Sequence, residues 1–75
     1  MKRIRVLNTT LFLEKEKRGN INTIYFYNEE KEKIPFYIID DGDWISLYHK
    51  EGYVYKTYSQ TNNKWRMIEN IVLRI

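Results

Sequence analysis

The stretch Ile38-Ile39-Asp40-Asp41-Gly42-Asp43-Trp44-Ile45 gathers three carboxylates around a glycine. Carboxylates this close can hold a divalent cation or divide a proton between them in acid-base work. The calcium-loop pattern D-x-[DN]-x-[DN]-G-x5-E is not met, and no glutamate follows at the required distance. Asp41-Gly42 is instead the pair that a two-residue type I′ turn prefers, because both central residues take positive φ. The expectation is therefore a hairpin tip, with no metal and no cofactor. In that register Asp40 faces Asp43 with Cβ atoms about 5 Å apart. Water, or the Arg or Lys of a partner, must relieve the repulsion.

His49 is the only histidine. General acid-base catalysis requires a second positioned group beside it, and none is implied. There is no G-x-S-x-G elbow, and the three glycines are too far apart to cradle a phosphate. His49 just precedes Gly52, so an exposed strand end is expected for it. No catalytic residue is assigned, and a non-enzymatic protein is expected.

Aromatic residues are more informative. Tyr and Trp make up much of the β-rich runs, and their apolar bodies with polar tips suit interface anchors. In the register set by Asp41-Gly42, Tyr37, Ile39, Trp44 and Tyr48 share one face, while Ile34, Phe36, Ile38, Ile45 and Leu47 share the other. A turn ending in Gly52 adds a strand, placing Tyr48 against Val54, Leu47 against Tyr55, Ser46 against Lys56 and Trp44 against Tyr58. The aliphatic face reads as core. The aromatic face reads either as a docking surface built from Tyr37, Trp44, Tyr48 and Tyr58 or as a second core layer.

The elements that must carry these residues are strands. Alanine is absent, and Ile, Val, Thr, Tyr, Phe and Trp are abundant, the types that fit a pleated half-buried surface. The glycines of EKRGN, DDGD and HKEGY each follow charged residues and separate β-rich runs. Lys2 to Leu7 alternates, with Ile4 and Val6 inward and Arg3 and Arg5 outward. A turn ending in Gly19 places Phe12 against Ile24 and Thr10 against Phe26, with Leu11 and Tyr25 on the other face. Pro35 follows the charged connector NEEKEK and suits a strand start. The segment from Lys64 to Ile75 is ambiguous. Its β-branched content favours two strands broken at Glu69-Asn70. Alternatively Trp65, Ile68, Ile71, Val72 and Ile75 fall at helical spacing after an Asn62 or Asn63 cap. The fold class expected is all-β: one domain over residues 1–75, an antiparallel meander of six to eight short strands forming a curled sheet or small barrel, with residues 64–75 as the one candidate helix.

The formal charge is +3, unevenly distributed. Residues 1–18 carry six bases against two acids, residues 29–43 six acids against two bases, and residues 44–75 five bases against two acids. Such a layout can steer a charged partner. Arg3, Arg5 and Asn8 interrupt any apolar run after the basic start, so a signal peptide is not expected. No stretch approaches the ~18 apolar residues of a membrane span. With cysteine absent, the expectation is a soluble cytoplasmic protein. The wealth of Ile, Lys, Asn and Tyr matches A/T-rich coding, and a small phage or mobile-element regulator or inhibitor fits that bias. The leading expectation is a protein partner meeting Tyr37, Trp44, Tyr48, Tyr58, Asp40, Asp41 and Asp43. The rival is a nucleic-acid-binding small barrel that uses Arg3, Arg5, Lys56, Lys64 and Arg66 with Trp44 and Tyr58. Self-association stays open.

Overall fold

The computed structural model describes residues 1–52, 54–59 and 63–75. Strands β1 (Lys2–Val6), β2 (Thr9–Arg18), β3 (Ile21–Tyr27), β4 (Lys33–Asp40), β5 (Ile45–His49) and β6 (Val54–Tyr58) form one antiparallel sheet in sequence order. Each strand pairs with the next, so the chain is a meander of six strands whose sheet does not close into a barrel. Helix α1 (Lys64–Arg74) follows and packs against one face.

The core lies between that face and the helix. Ile34, Phe36, Ile38, Ile45 and Leu47 are all buried there, as their alternation predicts. Ile4, Val6, Leu11, Ile24 and Phe26 join them from β1 to β3, and Met67, Ile68 and Ile71 from the helix.

The preference for two C-terminal strands is overturned. Residues Lys64–Arg74 are helical because the sheet has one apolar face that must be covered, and a helix can lay a stripe across several strands at once. That tertiary demand outweighs the weak β bias of the segment. The buried stripe differs in detail from the expected one: Met67 completes it, while Trp65 and Ile75 are exposed. Asn63 occupies the N-cap position without a side-chain cap hydrogen bond, and the other cap candidate, Asn62, lies outside the described residues.

Three registers also differ. β4 and β5 pair Asp40 with Ile45, Ile39 with Ser46, Ile38 with Leu47 and Tyr37 with Tyr48. The pairing slips by two residues, because the connection is a four-residue loop, Asp41–Trp44, closed by an Asp41 N–H to Trp44 C=O bond of 3.1 Å. A slip of two preserves the side-chain alternation, so the expected faces survive. β2 and β3 pair Arg18 with Ile21, Leu13 with Phe26 and Phe12 with Tyr27. Here the slip is three, and the expected faces of β2 exchange: Leu11 is buried and Phe12 turns outward. The tight Gly19-Asn20 loop is the cause. Gly19 has φ +59° while Asn20 is not at positive φ, the sign pattern of a type II′ turn, whose twist matches the flanking strands.

β5 and β6 pair Tyr48 with Val54 as expected, but a bulge then sets Leu47 against Lys56, Ser46 against Thr57 and Ile45 against Tyr58. The hydroxyls of Ser46 and Thr57 lie 3.2 Å apart. The extra residue moves Tyr58 to the core side of the sheet, where it packs against the buried cluster.

One hairpin has no sequence signal of the usual kind. Val6 pairs with Thr9, leaving Leu7-Asn8 as the loop, with φ of 49° and 63°. Both central residues adopt the left-handed conformation that a type I′ turn requires, and Leu7 bears the Cβ clash. Leu7 is exposed, so little packing holds it. Replacing it with Asn, which tolerates this region, is expected to raise stability by about 0.5–1 kcal/mol. A neutral or destabilising result in urea titration would mean that the turn lies elsewhere.

Candidate docking face

The helix covers one face of the sheet. Among the described residues no element packs over the other, so the second-core-layer reading of the aromatic face does not hold. On this open face the β3–β4–β5 pairing aligns Tyr25, Tyr37 and Tyr48 side by side. The rings of Tyr37 and Tyr48 stack at 5.4 Å with an interplanar angle of 8°. Tyr25 and Tyr37 are 6.0 Å apart and tilted by 37°. The Lys33 ammonium sits 4.2 Å above the Tyr25 ring, and Lys31 lies 5.5 Å from the Phe12 ring. All three tyrosines are half-buried, largely by one another and their neighbours.

Stacked cross-strand rings stand up from the sheet and present their edges and hydroxyls outward. The facing π surfaces of Tyr37 and Tyr48 are taken up by each other, and one face of Tyr25 by Lys33. A groove of about 400 Å³ runs beside the row, lined by Tyr25, Tyr37, Lys33, Pro35 and Lys50 among others. It opens where the β3–β4 pairing is irregular between Tyr25 and Tyr27. Proline contributes no N–H to a ladder, so such a break is a natural place for Pro35.

The residues expected at the docking site are thus partly united. Tyr37 and Tyr48 stand together. Trp44 occupies the β4–β5 loop and is 53% exposed, at the tip rather than in the row. Tyr58 is on the opposite face. Tyr25 and Lys33 were not anticipated. The missing signal was the β3–β4 register, since the charged connector gave no turn from which to count. Asn28 supplies that turn: its N–H donates to Glu32 C=O at 2.9 Å, and its side-chain carbonyl accepts from the Glu32 N–H at 2.8 Å.

The three aspartates do different jobs and do not form one cluster. Asp40 and Asp43 do not face each other. Asp40 is 7% exposed on the core side; its Oδ1 accepts from the Gly42 N–H at 2.9 Å, and its Oδ2 lies 3.9 Å from Lys64 Nζ. Asp41 Oδ1 accepts from the N–H groups of Asp43 and Trp44 at 3.0 and 2.8 Å, satisfying the loop backbone. Asp43 is exposed. Asn22, paired across from Asp40, has a buried Oδ1 without a hydrogen-bond partner.

The basic residues expected to bind nucleic acid are divided between surfaces. Arg3 pairs across from Phe12 and Arg5 from Thr10, on the open face; Arg5 Nη1 donates to Thr10 Oγ1 at 3.4 Å. Lys56 sits opposite Leu47, on the core side, and Lys64 and Arg66 are on the helix. His49 ends β5 but is half-buried, a correction to its expected exposure. Its ring meets Phe36 edge-on at 5.4 Å, and its Nδ1 accepts from the Glu51 N–H at 3.3 Å. Hydrophobic contact with Phe36 draws it inward.

The class defined by these features is a small single-sheet protein, helix-backed on one side and aromatic on the other. Compared with known proteins, the chain matches no family model, no curated protein and no solved structure. No helix among the described residues is long and apolar enough to cross a membrane.

Proposed function

We propose that this protein is a non-enzymatic binding module that docks another protein on the open face of its sheet. The observation that carries the reading is the pre-ordered row Tyr25–Tyr37–Tyr48, exposed at its edges and backed by a packed sheet. Rigid aromatic anchors lower the ordering cost of association and dominate interface energetics. Asp43 and Trp44 extend the contact at the β4–β5 tip. Size and composition suit a small regulator or inhibitor of a phage or mobile element.

The nucleic-acid reading is weaker on two counts. Base stacking needs free π faces, and in the tyrosine row each ring has a face taken up by a neighbouring ring or a lysine. A phosphate track needs its cations on one surface, and here they are split. Self-pairing through the free edges is also disfavoured. The edge strands β1 and β6 read KRIRV and VYKTY, with cations and no carboxylate on either, a common device against edge-to-edge association.

The test is affinity capture from the host lysate, followed by measurement of binding to the recovered protein. The Tyr37→Ser/Tyr48→Ser variant should lose about 2 kcal/mol or more, near thirtyfold in Kd, while its circular dichroism stays unchanged. Charge reversal at Arg3 and Arg5 should leave most of the affinity. Micromolar binding to a random single-stranded oligonucleotide at physiological salt, lost on that reversal, would replace the protein partner with nucleic acid.

A further inference from the structure

On the helix side, away from the docking face, a cavity of about 300 Å³ opens where β1 and β2 pass the start of α1. Its lining includes Lys2, Lys15 and Lys64 and, on the apolar side, Leu13, Ile68 and Trp65. Among the described residues that line it, none has a carboxylate, hydroxyl or amide side chain. The lining therefore offers two chemistries only: positive charge, and hydrocarbon or indole.

Lys2 pairs across from Leu13, so Lys15 is its diagonal neighbour on the same face, about 7–8 Å away at the backbone. Three like charges around an apolar hollow repel one another, and Asp40 pairs with Lys64, at 3.9 Å. Trp65 stands in the first turn of the helix with 56% of its surface exposed. The core is completed by Met67, Ile68 and Ile71 without it, so its indole is free to cover a guest.

We propose that this cavity binds a small amphipathic carboxylate, its apolar body against Leu13, Ile68 and Trp65 and its head among Lys2, Lys15 and Lys64. Burial of hydrocarbon supplies the affinity, and the lysines select for the anion. The concave shape suits a single detached molecule over a flat lipid surface.

Octanoate is the probe. In the full chain carrying Trp44→Phe, Trp65 is the sole tryptophan, and its emission should change saturably with an apparent Kd below about 1 mM. The Lys2→Gln/Lys15→Gln variant should bind about tenfold more weakly, and octanol at least tenfold more weakly than octanoate. Amide shift mapping of the unsubstituted chain should place the perturbations at Lys2, Leu13, Lys15 and Ile68; this arm decides if the lysine variant fails to fold. The proposal is overturned by an unsaturable response, by octanol binding as well as octanoate, by unchanged affinity in a folded lysine variant, by shifts centred elsewhere, or by a response seen only with phosphatidylglycerol vesicles. Because the docking face is on the other side of the sheet, the Tyr37→Ser/Tyr48→Ser variant should bind octanoate unchanged, which keeps the two tests separate.

Discussion

Replacing Ile71 with Asp is expected to abolish cooperative folding, whereas Leu73→Asp should change stability by no more than about 0.5 kcal/mol. Ile71 is fully buried between the helix and the sheet, and Leu73 is 74% exposed. Truncating a buried isoleucine alone costs about 2–5 kcal/mol. Placing a carboxylate in that space adds several kcal/mol, because it is desolvated among apolar side chains. A chain of 75 residues has about 4–11 kcal/mol of stability to lose. The helix is also the one described layer over the inner face, so undocking it leaves Ile4, Leu11, Ile38 and Leu47 open to water. Loss of the sigmoidal urea transition and of near-ultraviolet dichroism in Ile71→Asp would show this. The pair also discriminates helix from strand. Residues two apart share a face in a strand but lie on nearly opposite sides of a helix, so equal damage from both substitutions would restore the two-strand reading.

The contrast between these residues shows where the fold was legible. Alternation in β4 and β5 is strong enough that the buried set Ile34, Phe36, Ile38, Ile45 and Leu47 could be read directly, even with the loop misjudged by two residues. Periodicity fixes the face; turn chemistry fixes the partner, and only the second was wrong. The misjudgement still had a consequence for function. It set Asp40 against Asp43 as a repelling pair awaiting a cation, whereas Asp40 is buried beside Lys64 and Asp41 holds the loop. The β-bulge at Tyr55 of β6 was illegible for a different reason. An inserted residue leaves no local signature, yet it alone moved Tyr58 off the aromatic face. The C-terminal segment was illegible because the deciding force is not local. KWRMIENIVLRI contains both periods, and the uncovered sheet face selects between them. Tyr25 and Lys33 were missed because the charged connector between β3 and β4 offered no turn from which to count that pairing.

The β2 strand offers the sharpest remaining check, since its two readings differ by parity. The Gly19-Asn20 turn makes Leu11 a core residue and Phe12 a surface one; the three-residue slip would exchange them. Leu11 is fully buried among Ile4, Phe26 and the rest of the cluster, so Leu11→Ala leaves a cavity that a two-layer domain cannot easily close. The expected cost is about 2–5 kcal/mol, or roughly 10–30 °C in Tm for a domain of this size. Phe12 is half-buried on the open face, across from Tyr27 and beneath Lys31. Phe12→Ala forfeits part of an aromatic contact and a partly solvated cation–π pair, about 1 kcal/mol. Thermal unfolding of the two variants side by side gives the answer. A Phe12→Ala loss exceeding that of Leu11→Ala would turn β2 over and carry Arg3 and Arg5 from the open face to the core side.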